Sequence, residues 1–252
     1  MSGGALKPPE PRLRRCYVLD EDPDLGGGLE PAVRAAARRL ATAPVTRLPA
    51  GPQPLQAWYG FAVHGPGLLL ISGVIARELR VADRCATELL GPGDLLRPWD
   101  LDLNELVPCE VLWRVLVDAE VALLDDGFAE RIRQWPSIAE ELLARAEHRA
   151  ESLAIERAIA SHPKVDMRVA MELWHLAGRW GRIRPDGSVQ IELPLTHRLI
   201  SELVGAERPT VSHALTRLTK AGLIEHNGPH WALFGSPGDH AAVAQRPLKP
   251  RL

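Results

Sequence analysis

The chain has 252 residues, 46% of them hydrophobic, and its 30 Lys and Arg against 32 Asp and Glu leave a formal net charge of −2. That is apolar material for one moderate and one small core, with too balanced a charge for indiscriminate coating of nucleic acid. No run reaches about 18 apolar residues and no N-terminal signal pattern is present, so a soluble, cytoplasmic protein with no membrane partner is expected.

Residues 1–28 read as a tail and lead-in, Gly/Pro-rich over Met1–Pro11. Leu29–Ala43 (LEPAVRAAARRLATA) reads as a helix. Between Val45 and Leu124 the apolar runs are short: Gly67-Leu-Leu-Leu-Ile-Ser-Gly73, Glu88-Leu-Leu-Gly-Pro-Gly-Asp94, Val111-Leu-Trp-Arg-Val-Leu-Val and Glu120-Val-Ala-Leu-Leu. Gly, Pro and Asp punctuate them, which favours a β-rich sandwich or barrel within a domain spanning 29–135.

Residues 136–161 form the next segment. Ile138–Ala160 contains no Gly or Pro and is rich in Ala, Leu, Glu and Arg, the composition of a long helix, with Pro136 and Ser137 at its start and Pro163 beyond its end. Positions 139, 143, 146, 150, 153, 157 and 160 alternate spacings of four and three and read Ala, Leu, Ala, Ala, Leu, Arg, Ala. Such a seam suits a parallel pair of helices; packing on its own domain is the alternative.

Within 162–235, Thr196 precedes the helical set Leu199, Ile200, Leu203, Val204 and is an N-cap candidate. Gly205 marks a sharp turn, and Pro209 suits the first turn of a second helix. There Val211, Ala214, Leu215 and Leu218 form an i, i+3, i+4, i+7 stripe, and the other face carries Arg208, Thr210, Ser212, His213, Thr216, Arg217 and Lys220. Guanidinium groups match guanine edges, and hydroxyls and ammonium match phosphates, so this face suits a DNA groove. Leu223-Ile224 and Trp231–Phe234 flank His226-Asn-Gly-Pro-His230, a hairpin pattern. Residues 236–252, with four scattered Pro and Gly, read as a flexible tail.

Leu195-Thr196, Gly205, Arg208-Pro-Thr-Val-Ser212, Leu215–Leu218 and Gly222-Leu-Ile224, with Val169–Ala177 upstream, closely resemble the Crp/Fnr family of bacterial transcription regulators. The resemblance covers about the last third of the chain. It implies an α+β architecture: an N-terminal β-roll of the cyclic-nucleotide-binding type, a long dimerisation helix and a C-terminal winged helix-turn-helix. It also implies a homodimer on a palindromic operator in double-stranded DNA, with RNA polymerase as a further candidate partner and no enzymatic activity. Arg208 would contact a guanine while Thr196, Arg198 and Thr210 hold phosphates; Ser212, His213, Arg217 and Lys220 complete the DNA-binding set. Two positions depart from the family pattern: Pro209 stands where Glu is usual and His213 where Arg is frequent, so a different half-site is implied.

Gly91-Pro-Gly-Asp94 fits the family's β-roll turn, but the nucleotide anchors do not follow. Gly-Glu-Leu is replaced by Arg97-Pro98-Trp99, and Arg-Ser/Thr-Ala by Cys109-Glu110-Val111. A phosphate buried without its cation is costly, so cyclic AMP is not expected. Nor is an iron–sulfur cluster, because Cys16, Cys85 and Cys109 are only three and far apart. They read as ordinary thiols, with redox sensing by one of them the alternative. No cofactor is expected, and any other effector is unspecified. His64, His148, His162 and His175 lack metal-like pairing; Trp58, Trp99 and Trp113 are candidates for a pocket wall or plain core. Two alternatives accompany this reading: a regulator whose β-roll only scaffolds the dimer, and a cupin-like metal enzyme with a DNA module. The second needs several strand histidines, whereas Val45–Leu124 holds His64 alone.

Overall fold

The computed structural model describes residues 14–55, 65–98, 107–228 and 230–245, so Trp58, His64, Trp99 and Met1–Pro11 fall outside the described residues. The chain divides into two compact units, 1–151 and 152–252.

The first unit opens with β1 (Arg14–Tyr17), α1 (Val18–Glu21), a 3-10 turn over Pro23–Gly26 and α2 (Pro31–Leu40). Cys16, Val18, Leu19 and Leu25 are buried, so part of the stretch read as lead-in is core. The helix expected over 29–43 is shorter: Pro31 sits in its first turn, where its missing N–H costs nothing, and it ends at Ala41. There follow β2 (Thr42–Leu48), β3 (Gly51–Gln53), β4 (Gly67–Val81), β5 (Arg84–Leu90), β6 (Leu95–Leu96) and β7 (Cys109–Leu124). They form an antiparallel sheet of order β1-β2-β7-β4-β5, with β3 on β7 and β6 on β4.

The short apolar runs in fact belong to long bent strands. β4 has 15 residues and β7 has 16, paired along most of their length. Register shifts between Leu70 and Ile75 bend β4 without ending it, and Gly73 occupies that bulge with φ +89. A Cβ there would lie 2.5 Å from the Asp118 carbonyl oxygen, so only glycine fits. The expected Gly91–Asp94 turn is present, with the Asp94 carboxylate accepting from Gly91 N–H at 2.8 Å. Trp113 is buried in a core with Leu68, Leu70, Ile75 and Leu90, the plain-core alternative.

α3 (Asp126–Ile132) is capped by the Asp125 carboxylate, which accepts from Phe128 N–H at 2.7 Å. α4 (Pro136–Ser161) runs 26 residues and contains the unit boundary. Its buried residues are Ile138 and Leu142, whereas Ala139, Leu143, Ala146 and Ala150 of the seam are exposed. No helix among the described residues is long and apolar enough to cross a membrane.

The second unit contains α5 (Val165–Trp180), β8 (Gly181–Ile183), β9 (Val189–Ile191), α6 (His197–Leu203), α7 (Arg208–Lys220), β10 (Ile224–Asn227), β11 (His230–Leu233) and α8 (Pro237–Gln245). Its sheet has the order β10-β11-β9-β8. The β8–β9 hairpin was not anticipated, although Pro185-Asp186-Gly187 is turn chemistry, with Gly187 at φ +80. The flexible-tail reading from residue 236 is corrected by α8. Ser236 and Asp239 cap its start reciprocally, the Asp239 carboxylate accepting from Ser236 N–H at 2.8 Å and the Ser236 hydroxyl accepting from Asp239 N–H at 3.3 Å. His240 and Ala244 are then buried against the unit, His240 edge-on to Trp174. The same Pro and Gly that suggested disorder here begin a helix.

Candidate nucleic-acid interface

The Thr196 hydroxyl accepts from Leu199 N–H at 3.1 Å and starts α6, whose Leu199 and Ile200 are buried. Gly205 turns the chain at φ +59. The Arg168 guanidinium donates to the carbonyls of Val204 and Gly205, both at 3.3 Å, satisfying acceptors that the end of α6 leaves open. α7 then begins at Arg208 with Pro209 in its first turn. It ends in paired bonds, Leu223 N–H to Leu218 C=O at 3.0 Å and Gly222 N–H to Thr219 C=O at 2.9 Å, with Gly222 at φ +70. Both ends of the helix are therefore determined locally.

Val211, Ala214, Leu215 and Leu218 are buried as their spacing predicts. Arg208, Thr210, His213, Thr216 and Lys220 are exposed on the opposite side. Ser212 is half-buried, its hydroxyl 2.9 Å from His197 Nδ1. Arg198 is exposed and bonded one turn on to Glu202 at 2.9 Å. Arg217 lies elsewhere: its guanidinium pairs with Asp166 of α5 and donates to the Val243 carbonyl of α8 at 3.1 Å. It braces α7 from behind and does not join the exposed face.

The hairpin of β10 and β11 turns at Gly228, φ +63, with His226 opposite Trp231. Trp231 is buried and its indole N–H donates to the Leu195 carbonyl at 2.8 Å, tying the hairpin to the residue before Thr196. His226 stacks on it, ring centroids 4.3 Å apart and 25° between planes, and His197 lies at 6.0 Å. His197 and His226 were not among the sequence-derived site residues. The signal was weak: nothing in their spacing, 29 positions apart, says that one indole will gather them.

Beneath this surface α5 carries Glu172, 2% exposed, whose pKa is pushed up to about 7 by burial and by the Glu156 charge, against the pull of His175. His175 Nε2 lies 3.0 Å from the Ser152 hydroxyl and 3.5 Å from Glu156, and its pKa is raised chiefly by that Glu156 bond. Both groups hold protons more tightly when folded. The stability linked to Glu172 is lost as pH rises from its ordinary carboxylate value through about 7, and that linked to His175 as pH rises past its ordinary imidazole value. Melting temperature is expected to fall between pH 6 and pH 8. Glu172→Gln should flatten that fall and add about 1–3 kcal/mol at pH 8 while changing little at pH 5. Calorimetric melts across the range would check it; destabilisation at pH 8 would contradict it.

Residues 167–233 match the Crp-like helix-turn-helix domain. The chain is 28% identical over 174 residues to the CRP-like cAMP-activated global transcriptional regulator of Mycobacterium tuberculosis, covering 67% of this chain and 76% of that protein. Among solved structures, a CooA mutant from Carboxydothermus hydrogenoformans aligns with a TM-score of 0.58 at 18% identity, over 80% of this chain and 87% of that one. The c-di-GMP responsive global regulator CLP of Xanthomonas campestris aligns at 0.56 and 19%, over 80% of this chain and 100% of that one.

Proposed function

We propose that this chain, whose residues 167–233 match the Crp-like helix-turn-helix domain, is a transcription regulator of the Crp/Fnr type that acts as a homodimer reading a palindromic duplex operator through α7. The observation that carries this reading is the face of α7 on which Arg208, Thr210, His213, Thr216 and Lys220 stand exposed over a fully buried apolar stripe. Arg208 contacts a guanine edge, and Thr196, Arg198, Thr210 and Lys220 hold phosphates. Thr196 spends one lone pair on its cap and keeps its O–H to donate. Pro209 offers no side-chain hydrogen bond, which leaves base reading to Arg208 and His213. Arg217 sets the seat of the helix.

The α4 seam supports the dimer. Leu143 is 71% exposed within a line of exposed alanines, apolar surface that a second copy would cover. A two-fold protein presents two α7 helices to half-sites about one helical turn apart. RNA polymerase is the further partner, and the cytoplasm is where the duplex would be met.

Cyclic AMP is not the effector in this reading, because the residues that would anchor it are absent. The two relatives named above are described by different nucleotides, cAMP and c-di-GMP, so family membership does not choose one. A scaffold role for the first unit is the second reading, with α4 bound to that unit through the pairs of Arg145 with Asp22 and Arg149 with Glu88. Three widely spaced cysteines do not supply the four ligands of an iron–sulfur cluster.

Fluorescence anisotropy on a palindromic duplex enriched from a random-sequence library tests the reading. Arg208→Ala is expected to cost about 1–3 kcal/mol and to relax preference at one base position per half-site. Sedimentation should give two chains per duplex. Unchanged affinity, or one chain per duplex, would overturn it.

A further inference from the structure

Two imidazoles gather at Trp231. His197 opens α6, half-buried, with Nδ1 at 2.9 Å from the Ser212 hydroxyl on α7. His226 is exposed on β10 and lies flat on Trp231, which His197 also approaches at 6.0 Å. The indole is itself immobilised by burial and by its bond to Leu195. Side chains from four elements, α6, α7, β10 and β11, are thus brought to one spot.

The free protein gains nothing electrostatically from this gathering. Burial, and then the charges of His226 and Arg208, hold the His197 pKa below the usual imidazole value. The acids on the packed elements do not offset these cations. Glu202 is engaged by Arg198, Glu225 alternates onto the other face of β10 from His226, and Glu207 is exposed at the head of α7. Of the remaining imidazoles, His230 alternates away from Trp231 on β11, and His213 is exposed further along α7. Positive charge on His197 is disfavoured by these surroundings in the free protein and is matched when an anion arrives.

We propose that His197 and His226 form a proton-dependent phosphate-binding pair flanking the α7 face, so that duplex DNA is held more tightly as these imidazoles gain protons. This rests on the DNA-reading function proposed above and adds its regulation by pH. Ser212 accommodates both states of His197: its hydroxyl donates to the neutral ring at Nδ1 and accepts from Nδ1–H of the cation. In the cation Nε2 also carries a proton and can donate to a phosphate oxygen. The exposed imidazolium of His226, steadied by the indole, supplies the second donor. Neither residue reads a base; both add affinity without sequence preference.

Anisotropy with the library-enriched duplex at pH 6 and pH 8, at constant ionic strength, tests this. Wild type should bind about tenfold or more tightly at pH 6, since each fully linked proton contributes up to tenfold per pH unit. In the double variant His197→Gln/His226→Gln the gain should shrink to within about twofold, with affinity at pH 8 near wild type. His226→Gln alone, a change at an exposed position that leaves the Ser212 bond untouched, should lose a measurable part of the gain with an unaltered melting temperature. A double variant that keeps the tenfold gain would overturn the proposal, as would a wild type that binds tightly with no pH dependence. If wild type enriches no duplex at either pH, the DNA-reading function itself fails.

Discussion

Replacing Trp231 by alanine is expected to remove about 3–5 kcal/mol from the stability of the second unit and to abolish operator binding. The indole is 1% exposed, at the centre of the sheet pairing between β10, β11 and β9. Its truncation opens a cavity that the flanking strands can fill only by shifting register. It also strips the donor from the Leu195 carbonyl, leaving a buried acceptor unmatched one residue before the α6 cap. Thr196, His197 and the hairpin then lose their common reference, so the loss of binding should exceed that of any single contact on α7. Trp231→Phe separates the two contributions: it keeps much of the packing, loses the N–H, and should cost about 1–2 kcal/mol. Denaturant unfolding followed by circular dichroism measures both. An alanine variant within 1 kcal/mol of wild type would contradict the role assigned to this residue.

The second large effect is expected in the first unit, from Arg149→Ala. The guanidinium grips the Glu88 carboxylate through two bonds at 2.5 and 2.9 Å and donates to the Leu95 carbonyl at 3.1 Å. The Glu88 side chain is 7% exposed and is also held by Arg77 at 3.0 Å. Breaking a buried pair from one side leaves a desolvated charge behind, typically 3–5 kcal/mol. Because Arg77 still neutralises part of that charge, about 3 kcal/mol is expected here. Arg149→Lys should recover little, since an ammonium cannot span both carboxylate oxygens and reach Leu95. Hydrogen exchange across residues 136–151 should quicken in both variants, reporting the release of α4 from the sheet. Exchange unchanged there would show that Ile138, Leu142 and the Arg145–Asp22 pair hold the helix without Arg149.

The candidate site was legible in the sequence wherever its determinants were local. A buried stripe at i, i+3, i+4, i+7, a threonine cap and a glycine stop each depend on residues within about one helical turn, so α6 and α7 stand where their spacing places them. The same holds for the 26-residue α4, whose interior has nothing to break it. In the first unit the apolar runs marked strands but not their extent. Pairing of β4 with β7 and the bulge at Gly73 carry each strand through residues that look like punctuation. At the other end of the chain, Pro and Gly suggested disorder where Ser236 and Asp239 cap a helix.

The amino-acid order alone determined the type and limits of α4, α6 and α7, because hydrogen bonds and side-chain contacts within a helix join near neighbours. Tertiary structure alone decided which charged groups are free to meet a ligand. Arg208 and Arg217 sit on the same helix with the same chemistry, yet one is exposed and the other is consumed by Asp166, 51 residues earlier, and by a carbonyl of α8. His197 and His226 became neighbours only because Trp231 is buried between their elements. A guanidinium or imidazole takes its role from the partner across the fold, and that partner's distance along the chain carries no local signal.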